Sequence, residues 1–80
     1  MQEAERVQTE IQKVIGDDPT IRDAQHIIVM VEKRSVFKGG KEVVVLKGHV
    51  HSETDRVKAE TIARLHAAGR EVVDGITVQA

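Results

Sequence analysis

Residues Lys41–Val50, KEVVVLKGHV, decide the fold, because helical patterns lie on both sides of this stretch and neither can bury its apolar stripe alone. Val44, Leu46, Gly48 and Val50 fall at every second position and share one face, while Val45, Lys47, His49 and His51 share the other. This is the pattern of a central strand. Its apolar face needs a cover, and the cover begins at once: Ser52 is an N-cap residue, and Asp55 three positions on supplies the reciprocal carboxylate of a capping box, on a shorter arm than Glu. From Glu53 to about Ala68, the residues Val57, Thr61, Ile62, Leu65 and Ala68 form an apolar stripe, with Lys58, Glu60 and Arg64 on the solvated side.

Upstream, Ala4, Val7, Ile11 and Val14 recur at spacings of three and four, which predicts a helix over Gln2–Ile15. Gly16 ends it, and Pro19 disfavours helical backbone at Asp18. Thr20–Gln25 is a connector in which Ile21 and Ala24 pack beneath the chain. Ile27–Val31 is an apolar, β-branched run, and in the following EKRSVFKGGKEVVV the pair Gly39-Gly40 suits a two-residue hairpin reversal. That reversal sets Val36 against Val43, Met30 against His49, Ile28 against His51, Val31 against Gly48 and Val29 against Val50, with Ile27, Val29, Val31, Val44, Leu46 and Val50 together under the helices. Ser35 and Lys33 then oppose Val44 and Leu46, so either the hairpin projects beyond the helical cover or its end is a looser loop. After Gly69, Glu71–Gln79 alternates, with Val72, Ile76 and Val78 inward and an interruption at Asp74-Gly75 that reads as a bulge or bend.

The order is helix, strand, strand, helix, strand. A helical crossover between the second and third strands makes that pair parallel, so the expected architecture is an α+β two-layer sandwich: a three-stranded mixed sheet with two helices on one face, a single domain over residues 1–80.

Composition narrows the function. Twelve basic residues against thirteen acidic, Phe37 as the one aromatic, and no cysteine leave neither the basic excess nor the stacking rings of a nucleic-acid module, and no thiolate metal site. An apolar share of 40% with 31% charged residues fits a folded domain. The opening MQEAERVQTE lacks the apolar centre of a signal peptide, so the expectation is a cytoplasmic protein or an excised mature domain.

The run V-x-L-x-G-x-V at Val44, Leu46, Gly48 and Val50, followed by Ser52, Arg56, Ala59, Ile62 and Ala63, and then V-x-D-x-I-x-V at Val72, Asp74, Ile76 and Val78, resembles the bacterial BON domain. The resemblance extends to the leading helix and to Asp18-Pro19-x-Ile21, covering roughly Val7 to Val78. It implies a non-catalytic module of envelope proteins, periplasmic or envelope-associated, commonly in tandem or fused to other domains, that contacts phospholipid surfaces. Family members often have a tight first hairpin where this chain has KRSVFKGGK, and a Gly-Val opening of the last strand where it has Gly69-Arg70-Glu71-Val72. Between two inward apolar positions, Gly48 lets a helix approach the sheet.

Three surfaces are candidates. Lys33, Arg34, Lys38 and Lys41 surround Phe37, the combination that rests on an anionic bilayer with the ring among the headgroups; the plainer reading is a solvated edge hairpin. Ile28, Met30, Val43, Val45, His49 and His51, with Val36 and Val73, make the outer sheet face a surface for an envelope protein, a neighbouring domain or a second copy; the plainer reading is exposed sheet valines. His49 and His51, two apart, have the spacing of a metal pair but no convincing third ligand beyond Glu32, so no metal is expected; His26 and His66 carry no signal. Turn formation and capping account for Asp17, Asp18 and Asp55. No nucleophile elbow, phosphate loop or KH-type GxxG between helices is present, so neither an enzyme nor a cofactor is expected.

Overall fold

The computed structural model describes residues 3–36 and 39–79, with the backbone alone for 34–36 and 39–40. Helix α1 spans Glu3–Gly16, and a 3-10 turn at Ala24–His26 leads into β1, Ile27–Val36. Strand β2 is Gly39–Val50, helix α2 is Glu53–His66 and β3 is Glu71–Val78. β2 lies in the centre, antiparallel to β1 and parallel to β3. Both helices lie on one face, so the expected mixed sheet under two helices is what forms. The expected start of α1 at Gln2 lies outside the described residues.

The core is built from every layer. Val7, Ile11 and Ile15 of α1, and Ala59, Ala63 and Ala67 at α2, cover Ile27, Val29, Val44, Leu46, Val50 and Ile76 of the sheet. Ile21 and Ala24 of the connector are buried among them.

The hairpin register differs from the expected one. Val36 pairs with Gly39 and not with Val43, a slip of four residues, so Gly39 and Gly40 lie inside β2 and not at the reversal. Val29 now faces Leu46, Val31 faces Val44 and Lys33 faces Glu42. The physical reason is the buried face. Burying a Val or Leu side chain is worth about 1.5–3 kcal/mol, and the expected register would set Lys33 and Ser35 there; a glycine inside a strand costs only roughly 0.5–1 kcal/mol. Because the slip is an even number of residues, every side chain keeps its face.

Helix α2 is also rotated from the expected stripe. Asp55, Ala59, Ala63 and Ala67 are buried and Ile62 partly so, while Val57 is 44% and Leu65 75% exposed. The alanines let the helix backbone lie close to the sheet. The Ser52 cap forms, its Oγ accepting from the Asp55 amide at 3.1 Å; the reciprocal carboxylate bond does not, because Asp55 turns inward with the buried stripe. At the end of α1, Asp18 Oδ1 accepts from the Thr20 amide at 2.8 Å and the Thr20 hydroxyl at 2.6 Å. Those two bonds hold the Asp18 carboxyl below its usual range.

Strand β3 pairs without a bulge, from Glu71 beside Val43 to Val78 beside Val50. Asp74 therefore points to the helical side, where its carboxylate takes Arg56 Nη1 at 2.6 Å and the Ile76 amide at 3.0 Å. Arg56 also pairs with Glu53, holding that carboxyl low and its own guanidinium high. Two glutamines cap the free edge of β1: Gln12 Nε2 donates to Ile27 O at 2.9 Å, the Val29 amide donates to Gln12 Oε1 at 3.0 Å, and the Val31 amide donates to Gln8 Oε1 at 3.1 Å. An edge strand capped in this way resists pairing with another chain.

Gly48 serves a purpose other than helix approach. Its φ is +115°, and a Cβ there would lie 1.9 Å from the carbonyl oxygen of His26. The close neighbour is the backbone entering β1. We expect Gly48→Ala to cost about 3 kcal/mol or more, since it combines left-handed backbone with a backbone clash. Gly16→Ala, with open space around it in the last turn of α1, should be neutral or stabilising by up to about 1 kcal/mol. Urea denaturation of both variants checks the contrast.

Candidate functional site

The length of β2 generates the site. At about 3.3 Å per residue its 12 residues reach about 40 Å, whereas the 14 residues of α1 reach only about 21 Å. The third strand stops beside Val43, so residues 39–42 and their partners 33–36 form a two-stranded arm beyond it. The arm carries the basic segment.

A cleft of about 470 Å³ lies under the arm, lined by Glu3, Lys33, Lys41, Glu42, Ala68, Gly69 and Arg70. Its floor is Arg70, whose side chain is only 11% exposed. Arg70 Nε and Nη2 both donate to Glu42 Oε1, at 3.0 and 2.7 Å, and Nη1 reaches Ala67 O at 3.4 Å. Ala68 and Gly69 take positive φ, 55° and 82°, to turn the chain from α2 towards the arm. Glu42 is thus committed to Arg70, and Lys33, its partner across the strands, is left without an ion pair among the described residues. Lys41 is likewise unpaired among them, and both lysines are exposed. The sequence reading missed Arg70, because a pair separated by 28 residues leaves no local pattern. Of the five expected lipid-surface residues, Lys33 and Lys41 join at the cleft, the backbone of Arg34 lies in the arm, and Phe37 and Lys38 lie outside the described residues.

At the opposite end of the sheet, histidines gather. His26 stacks on His49 with centroids 4.6 Å apart, and His51 stands edge-on to His49 at 6.3 Å. His26, unremarkable by sequence, is brought there by the 3-10 turn. His51 Nδ1 lies 3.0 Å from Gln79 O, a carbonyl that only accepts, so Nδ1 carries hydrogen in this contact. Its Nε2 lies 3.4 Å from Asp23 Oδ2, an atom that otherwise has no hydrogen-bond partner. Among the described residues no three His, Cys, Asp or Glu side chains are placed to hold a metal ion.

The outer sheet face holds Ile28, Met30, Val43, Val45 and His49, as their parity requires. Val43 and Val45 are nonetheless 2% and 4% exposed, because Val45 sits between Met30 and Val73, and Val43 between Glu32 and Glu71. Ile28 remains 54% exposed.

The family model described as the BON domain matches residues 3–80. No curated protein matches the chain.

Arg70 organises the cleft. Arg70→Ala should destabilise the fold by about 1–3 kcal/mol through its charged hydrogen bonds, measured by urea unfolding, and should release Glu42 to pair with Lys33.

Proposed function

The chain belongs to the BON domain family, and on that premise we propose that it is a non-catalytic targeting module of the bacterial envelope, resting on anionic phospholipid through the arm and the cleft beneath it. The family is associated with membrane and phospholipid binding and is generally non-catalytic, which supports the class of ligand. What supports the place is one observation: Lys33 and Lys41 stand exposed and without ion pairs among the described residues, on an arm with no third strand beside it. An exposed ammonium near an anionic surface contributes about 1 kcal/mol. The sequence adds Arg34 and Lys38 to the same segment, with Phe37 as the ring that would enter the headgroup layer. Binding of this kind is weak, salt-sensitive and strengthened when several modules act together.

The double substitution Lys33→Gln/Lys41→Gln should weaken binding to phosphatidylglycerol-rich vesicles by roughly thirtyfold, two contributions of about 1 kcal/mol each. Glu42→Gln, which removes the acid that neutralises Arg70, should strengthen it. Amide-shift mapping with anionic and with neutral bicelles locates the surface. Shifts at Lys33, Lys41 and Gly69 with anionic lipid alone are expected; equal shifts with neutral lipid, or none with either, overturn the reading.

A further inference from the structure

The helix-free face of the sheet has a charge order that matches itself on rotation. Across its centre runs an apolar row, Met30–Val45–Val73. One row towards the arm, Val43 is flanked by Glu71 and by Glu32; one row the other way, Lys47 lies between Ile28 and Gly75. Acid thus lies on one side of the apolar row and a central lysine on the other. Lys47 is exposed, as is Glu71, and Ile28 at 54% is among the most exposed large apolar side chains of the described residues.

We infer that this face is a two-fold self-association surface, its occupant a second copy of the same chain. Two orientations put two such faces together, and charge separates them. With the two-fold axis along the strands, Lys47 lies on the second copy's Lys47, and Glu71 falls over the β1 position of Glu32. With the axis along the row Met30–Val45–Val73, the strands of the two copies run antiparallel, and Lys47 of each copy stands over Val43 of the other, one strand spacing of about 4.8 Å from Glu71. Like charges meet in the first arrangement and opposite charges in the second, so the second forms. Met30 and Val73, half-buried in the single chain, close against their own copies at the centre, and Ile28 covers the stem of the carboxylate opposite. Val43 and Val45 are already covered within the chain, so little apolar area remains to drive the contact, and the dimer is a weak one set in register by charge. Lys41 of the arm shares this face by parity and falls over His49 at its rim, while the cleft beneath the arm lies on the helical side, and the two proposals are tested by separate measurements.

Sedimentation of the full chain over a range of concentrations from about 10 μM to 1 mM tests it. The wild-type protein should move from monomer to dimer. Lys47→Glu and Glu71→Lys, each at an exposed position and checked for folding by circular dichroism, should each raise the dissociation constant at least tenfold, since each puts like charges together. An equimolar mixture of the two variants should regain the dimer, because Glu at 47 of one chain then meets Lys at 71 of the other. A wild-type chain that stays monomeric throughout overturns the inference, as do single variants that associate like the wild type or a mixture that does no better than its parts.

Discussion

Apolar side chains on β2 must meet apolar side chains on β1 and β3, and most of the structure follows from that pairing. β2 is hydrogen-bonded on both sides along residues 43–48, and its inward residues Val44, Leu46 and Val50 are fully buried. The pairing of Val29 with Leu46 and Val31 with Val44 outweighs the turn preference of two glycines and carries Gly39 and Gly40 into the strand. Gly48 completes the constraint, since no side chain fits where its backbone meets His26.

Polar ties then fix the layers to one another. Arg56 joins α2 to β3 through Asp74, Arg70 joins the loop after α2 to β2 through Glu42, and Gln8 and Gln12 join α1 to the edge of β1. Each gives a strand group a partner on another element. Arg70, by occupying Glu42, leaves Lys33 and Lys41 without an acidic partner among the described residues.

The two ends of the sheet have different chemistry because the strands outrun the helices at one end and meet the connector at the other. The arm carries Lys33 and Lys41 exposed. At the far end Asp23 and Gln79 hold His51 beside the stacked His26 and His49, and between the ends lies a face with no helix on it.

The helical positions, the alternation of the strands and the Ser52 cap were legible along the chain, because each depends on residues within about four positions of one another, and the mixed sheet followed from the order of the elements. The cation-rich hairpin was legible for the same reason. Register was not: strand alternation has a period of two, so registers differing by four residues bury the same faces, and only the pairing of Val29, Val31 and Lys33 with their partners separates them. Nor was the rotation of α2, where an alanine stripe and a valine–leucine stripe compete and the larger residues read as the core. Arg70 with Glu42, Arg56 with Asp74 and His26 with His49 join residues 18 to 28 positions apart, and such pairs leave no period in a sequence. Local spacing determined which faces are apolar and where the helices start; tertiary packing decided which apolar stripe is covered and which charges remain free, because those depend on neighbours that only the folded chain brings together.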